Sequence, residues 1–489
     1  MGVFLTHNKK SAAVDLLSGG EGKALLKFSA PIIFSYLLQQ IYTISDAAIC
    51  GQTLSADEVA GVNDVFPLMF IFLQFAFGCT AGFSVVTSIK LGCGDKDGVR
   101  RSFASQILLG AAVTVVLTVI AILTLDPLLG AIGLTPLNEG VYRAAFDYSF
   151  VIFLGIFAQL FYNLICSVLR SLGDSITPLL FLLFSTVLNI VLDIVFIVTF
   201  NWGVVGAAGA TVLAQAVSAA ACFVYTFAKY PELRLTKGDF RSDMSFHLMH
   251  LKQGIPLGMQ FAVLAVGIIV MQGALVSFDV GEDGIMVAGN PAQNGFGAAN
   301  KLNNFLMCPM NALSSAIVSF NAQNLGAGKY ERIKRGTIKS LLIALVMYVI
   351  LGGLGMLMTI NGAYQYIFMS ADKISAESIR FGNIYLYVDL AMYFMLGALF
   401  VLRSGVQGIG KAGFTLMAGG AELTARILIC SLLPGIVNGG AVTSAASVGA
   451  YVALCAGDPG AWTLAVTALL YPTVKYLFGM RYESGKDRK

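Results

Sequence analysis

"STVLNIVLDIVFIV", Ser185–Val198, is apolar except at Ser185, Thr186, Asn189 and Asp193. No basic residue lies near Asp193 in the sequence. If the segment crosses a bilayer, a carboxylate at its centre costs about 3 kcal/mol on insertion scales. The rest of the chain points to a bilayer. Hydrophobic residues make up 57% and charged residues 12%, with a mean hydropathy of +0.79. Soluble domains carry about 25% charged residues. A chain of 489 residues this apolar cannot hide its surface in one soluble core.

Apolar runs of spanning length recur at about 28–50, 62–89, 104–125, 145–168, 176–199, 204–228, 254–278, 298–322, 338–360, 380–402, 413–434 and 460–479. They are too long and too uniformly apolar for barrel strands. The expected fold is therefore an all-α integral membrane protein of about twelve transmembrane helices. Lys9 and Lys10 precede a polar, Gly-rich stretch, unlike a cleaved signal peptide. Basic residues cluster before the first span and after the second, fourth, sixth, eighth, tenth and twelfth, with Arg403 counted after the tenth. The other side has few: Arg143, Lys301, Lys373 and Arg380. The positive-inside rule then places both termini in the cytoplasm, in an inner or plasma membrane. The loop at 279–294 faces outward and, being acidic and Gly-rich, is expected to be mobile.

The chain repeats itself. "LGCGDKDGVRRSF" (Leu91–Phe103) matches "LGAGKYERIKRGT" (Leu325–Thr337), and "RSLGDSITPLLF" (Arg170–Phe181) has an echo in "QGIGKAGFTLMA" (Gln407–Ala418). Each half holds six spans and starts on the same side, so the halves are parallel repeats about an axis along the membrane normal. The expected organisation is a first six-helix lobe at 1–228, a basic cytoplasmic linker at 229–252 and a second lobe with a cytoplasmic tail at 253–489.

Two pseudo-symmetric halves around a cleft are transporter architecture, with sites marked by polar residues near the midplane. Asn189 and Asp193 share a helix face, as do Tyr42 and Asp46 in the first span and Thr211 and Gln215 in the sixth. Brought together, these oxygens suit a hard cation such as Na⁺. They equally suit a proton, because two close buried carboxylates cannot both ionise cheaply. For Gln39, Tyr42 and Thr211 taken singly, a hydrogen bond to a neighbouring helix is the alternative. In the second half the polar candidates are Asp389, Glu422 and Arg426, the last two spaced to neutralise one another on one helix.

Four stretches together resemble the multidrug and toxic compound extrusion (MATE) family, in its DinF-like and prokaryotic NorM-like branch. They are "PIIFSYLLQQIYTISDAAICGQTL", "LRSLGDSITPLLFLLFSTVLNIVLDIVF", "WGVVGAAGATVLAQ" and "AANKLNNFLMCPMNALSSAIVSFNAQNLGAGKYERIKRG". The resemblance implies two six-helix lobes in a V around a central cleft. It implies export of amphipathic, often cationic compounds by alternating access, in exchange for Na⁺ or H⁺. It assigns a first-lobe cation site to Tyr42, Asp46, Asn189, Asp193 and Thr211, with Na⁺, where used, at Asp46, Asn189 and Asp193. It places Gln39 and Asn163 at substrate contacts. NorM-type members carry a functional Glu on the seventh helix; Leu264 stands near that position here.

The expected partners are a small amphipathic or cationic molecule and membrane lipids, with no nucleic acid, no cofactor beyond the coupling ion, and a monomeric state. A lipid-linked precursor flippase is the alternative transporter. It calls for more basic residues in the spans than Arg426, Lys301 and Lys475. A membrane-embedded enzyme finds no support: there is no HExxH, and His7, His247 and His250 lie in polar segments. The 8 Cys form no CxxC and no Cys/His cluster, and Cys50, Cys79, Cys166, Cys222 and Cys430 read as core thiols.

Overall fold

The computed structural model describes residues 13–136, 139–370 and 374–480. His7, Lys9, Lys10, Lys373, Arg481, Lys486, Arg488 and Lys489, on which part of the sequence reading rests, lie outside the described residues. Among the described residues there is no strand, only an isolated bridge between Val280 and Met286.

We number the main helices α1 (Glu21–Thr53), α2 (Ala56–Gly92), α3 (Lys96–Leu123), α4 (Glu139–Leu154), α5 (Ile156–Ser171), α6 (Ile176–Asp193) and α7 (Gly203–Lys229). The second half holds α8 (Met244–Val276), α9 (Pro291–Gly326), α10 (Tyr330–Met358), α11 (Ala376–Ala391), α12 (Tyr393–Gly408), α13 (Ala412–Asn438), α14 (Val448–Cys455) and α15 (Gly457–Pro472). Among the described residues, ten segments are long and apolar enough to span a membrane. The total among the described residues is twelve when the pairs α4–α5 and α11–α12, bent by 44° and 53°, are each counted as one broken span. This is the all-helical multi-pass architecture that the apolar runs predict.

Local chemistry sets the helix ends. Ser55 and Glu58 form a capping box at the start of α2, and Asp95 caps α3 by accepting from the Gly98 amide at 2.8 Å. The repeated segments fold alike. Gly94 and Gly328 both take a left-handed turn after their helices (φ +73° and +68°), as do Gly173 and Gly410 (φ +85° and +76°).

Several segments differ from the sequence reading. The seventh span starts ten residues earlier than its apolar run, so His247 and His250 belong to helix α8 rather than to a polar loop. His250 is buried there, its Nε2 paired with Ser102 Oγ at 2.8 Å. The last span likewise starts early, at Val448, and carries Asp458 inside it. The 279–294 loop is tied down rather than free. The Asp279 carboxylate accepts from the amides of Ala292 and Gln293 at 2.8 and 2.9 Å, and the Val280 carbonyl accepts from the Ser444 amide at 2.7 Å.

Two large apolar cores form, one among α2–α7 with Cys50 of α1 and one among α8–α15. A third joins the halves: Leu16, Leu25, Phe28 and Ile32 pack with Leu313, Ile317 and Phe320 of α9. The first half of α1 thus leans on the second set of helices, while its second half reaches α6 and α7. The segment before α1 is held by Arg332, whose guanidinium donates to the carbonyls of Leu16, Ser18 and Gly19.

Candidate functional site

The structure brings Tyr42, Asp46, Asn189, Asp193 and Thr211 together. The i,i+4 spacing puts Tyr42 and Asp46 on one face of α1 and Asn189 and Asp193 on one face of α6, and α7 supplies Thr211. The hydroxyls of Tyr42 and Thr211 lie 3.2 Å apart, and Asn189 Nδ2 donates to Thr211 Oγ1 at 3.4 Å. The carboxyl groups of Asp46 and Asp193 are close enough to interact. Asp193 is 0% exposed, at the point where α6 passes into a π-helical turn.

The cluster has acceptors and few donors. Asp46 Oδ1, Asn189 Oδ1 and both carboxylate oxygens of Asp193 are buried with no hydrogen-bond donor. No basic side chain pairs with either carboxylate among the described residues. Unpaired buried acceptors cost about 1–3 kcal/mol each, more when charged. A small cation or a proton relieves that cost. The donors are oxygens of carboxylate, amide and hydroxyl type, the set a hard monovalent cation takes. No group of three or more His, Cys, Asp or Glu that could hold a metal ion occurs among the described residues.

Two further neighbours escape the sequence reading. Cys50 and Tyr148 lie close enough to feel both carboxylates. Cys50 is four residues after Asp46 and so legible as part of the same face. Tyr148 comes from α4, and no sequence signal ties it to the site. Gln39 is exposed on α1 and Asn163 half-buried on α5; no side-chain hydrogen bond joins either to the cluster.

The second-half candidates are arranged differently from the sequence expectation. Glu422 and Arg426 do not neutralise each other. Glu422 pairs with Arg403, and Arg426 donates from Nε and Nη2 to Asp458 Oδ1 at 2.8 and 2.6 Å. Arg403, counted in sequence as a loop charge, is buried in α12. The reason is that each side chain finds a carboxylate or guanidinium on a neighbouring helix. Asp389 is fully buried and its Oδ2 accepts from Asn303 Nδ2 at 3.0 Å. The same amide reaches the Tyr385 hydroxyl at 3.1 Å, and Tyr385 donates toward Asp458 at 3.5 Å.

Comparison with known proteins agrees with this architecture. The MatE family model matches residues 31–195 and 285–432, more than half of the chain. A probable multidrug resistance protein, YpnP of Bacillus subtilis, is 28% identical over 323 residues, covering 66% of this chain and 69% of that protein. A protein named FAD transporter from Shewanella oneidensis is 26% identical over 345 residues, covering 69% and 72% of the two chains. The crystal structure of MATE in the bent conformation superposes with a TM-score of 0.80 at 21% identity, covering 96% of this chain and 98% of that one. The protein is thus a multi-pass membrane transporter rather than an enzyme, and it belongs to the MatE family.

Proposed function

We propose that the protein is a Na⁺- or H⁺-coupled antiporter that exports amphipathic, cationic compounds by alternating access. The observation that carries this reading is the group of four donor-less buried oxygens on Asp46, Asn189 and Asp193. Asp46, Asn189 and Asp193 hold the coupling cation, with the hydroxyls of Tyr42 and Thr211 beside them. Occupation by a cation lets the two carboxylates approach and draws α1 toward α6 and α7. Because α1 also leans on the second set of helices, that movement changes how the lobes meet. Cation and substrate then weaken one another's binding, a negative coupling between two sites.

The lobes are taken as residues 1–228 and 253–489 around a linker at 229–252, with Gln39 and Asn163 facing substrate. The orientation has both termini in the cytoplasm of a cell bounded by this inner or plasma membrane, and the working unit is the monomer. The relatives named for multidrug resistance or export support a drug-like cargo. The relative named FAD transporter marks anionic cargo as the contrast to test. The buried Arg403 and Arg426 are already matched by Glu422 and Asp458, which argues against a free basic site for a diphosphate.

The test uses purified protein in liposomes with a fluorescent cationic dye. A Na⁺ gradient at fixed pH, then a pH gradient without Na⁺, is expected to drive dye movement in one case. Asp46→Asn and Asp193→Asn are expected to insert normally and lose it. Full transport in both variants would sink the site assignment.

A further inference from the structure

The two halves of the chain place different chemistry at matching positions. The repeat that aligns Arg170–Phe181 with Gln407–Ala418 sets Arg426 against Asn189. Each of these side chains reaches the next span. Asn189 donates to Thr211, an amide on a hydroxyl. Arg426 donates to Asp458, a guanidinium on a carboxylate. At the first-half site, Asp46 and Asp193 stand with no basic partner, and four oxygens of Asp46, Asn189 and Asp193 lack donors. At the second-half cluster, the buried carboxylates of Asp389, Glu422 and Asp458 stand with the buried guanidinia of Arg403 and Arg426. Asp458 Oδ1 takes two bonds from Arg426, Asp458 Oδ2 faces the Tyr385 hydroxyl, and Asp389 Oδ2 takes one from Asn303. Of the oxygens on Asp389 and Asp458, only Asp389 Oδ1 lacks a donor.

The room for the guanidinium is built in. A Cβ at Gly267 on α8 would lie 3.1 Å from Arg426 Nη1 and 3.2 Å from its Cδ. Arg426 is 8% exposed, and burying a guanidinium is costly unless a carboxylate is held against it. Arg is charged at every accessible pH, so this cation does not leave.

We infer that Arg426 is a tethered cation filling the second-lobe counterpart of the first-lobe site, so that only the first lobe exchanges its cation with solvent. This rests on the proposed first-lobe site and adds that its pseudo-symmetric partner is permanently occupied. The asymmetry gives the cycle one exchanging site, with a fixed lobe against which it works.

Thermal unfolding of purified full-length protein tests this. Na⁺ replaces choline at constant ionic strength, and pH is varied between about 5 and 8. The wild type is expected to respond to one of the two cations. Asp193→Asn is expected to lose that response, and Asp389→Asn to keep it. In the Asp193→Asn background, Arg426→Ala is expected to create a new, saturable stabilisation by Na⁺ or by millimolar guanidinium chloride. Adding Asp458→Asn is expected to abolish it. A response that survives Asp193→Asn and disappears with Asp389→Asn overturns the inference. So does a folded Arg426→Ala, Asp193→Asn protein indifferent to both ions while Asp193→Asn alone has lost the wild-type response. In that case the first-lobe reading stands. A wild type indifferent to both cations overturns the first-lobe reading, and this inference with it. The comparison of Asp193→Asn with Asp389→Asn needs no Arg426 variant, so it decides the matter even if Arg426→Ala does not fold.

Discussion

Gly92 and Gln323 meet backbone to backbone. A Cβ at position 92 would strike the Gln323 carbonyl, and by the internal symmetry a Cβ at Gly326 would strike the carbonyl of Ile89. The ends of α2 and α9 therefore cross through two glycines that sit at the same place in the repeated L-G-x-G segments. Gly326→Ala is expected to force these ends apart and lower stability by about 1–3 kcal/mol, as overpacking does. Gly297→Ala, on the same helix with nothing within 4 Å of its Cβ, is the control. Its unfolding midpoint is expected to hold or rise, since Ala is the better helix former.

The hydroxyls of Tyr42 and Thr211 bond each other and leave the Asp193 carboxylate without a donor, so in the proposed cation site they are auxiliary ligands. Tyr42→Phe and Thr211→Ala each remove a neutral hydrogen bond worth about 0.5–1.5 kcal/mol, so cation affinity should fall by up to about tenfold. Because these hydroxyls face each other at 3.2 Å, the double variant is expected to lose less than the sum. A titration of cation-dependent stabilisation checks both points.

The ion pairs of the second half make a sharp prediction about coupling. Glu422→Gln leaves Arg403 buried without a counter-charge and is expected to cost about 3–5 kcal/mol. Double-variant cycles should show strong coupling for Arg403 with Glu422 and for Arg426 with Asp458. The sequence neighbours Glu422 and Arg426 should couple far more weakly.

Arg332 anchors the segment before α1 through the carbonyls of Leu16, Ser18 and Gly19. Arg332→Ala is expected to free that segment, with faster amide exchange from Leu16 to Glu21 and a stability loss of about 1–3 kcal/mol. Glu21 keeps Lys339 and Arg335, so α1 itself should stay helical. Unchanged exchange there would show that the apolar packing of Leu16 and Leu17 suffices.

Asp174, in the turn between α5 and α6, predicts a pH dependence. Burial pushes its carboxyl up, but the Lys229 ammonium at 2.8 Å, Thr177 and its amide outweigh this and hold it below the ordinary carboxylate range. A depressed folded value means the carboxylate stabilises the fold above the unfolded value near 4. That contribution is lost as pH falls from there through the lower folded value. The unfolding midpoint should therefore drop over this acid window. In Asp174→Asn the midpoint should start lower at neutral pH and fall less steeply.

The first-lobe cluster was readable because its members lie four residues apart on helices whose other residues are apolar. Period and polarity together marked Tyr42 with Asp46, Asn189 with Asp193 and Thr211 with Gln215, and the resemblance joined Thr211 to the four residues of the other two helices. Tyr148 was not readable, since only the bend between α4 and α5 and the packing of α4 bring it near. The pairing of Glu422 with Arg426 was a reasonable inference from spacing and was wrong. On a lone helix an i,i+4 pair is the nearest choice. In the bundle, Arg403 and Asp458 on other helices take Glu422 and Arg426 as their partners instead.

The sequence by itself determined the solvent, the all-helical multi-pass class and the repeat. These depend on composition, on the length of apolar runs and on local turn chemistry, such as the left-handed glycines at 94, 173, 328 and 410. Only the tertiary structure decided which charges neutralise which, and that α1 bridges both halves. Those are contacts between residues far apart in the chain, and in a low-dielectric interior each buried charge is satisfied by whichever partner the packing of helices brings within reach.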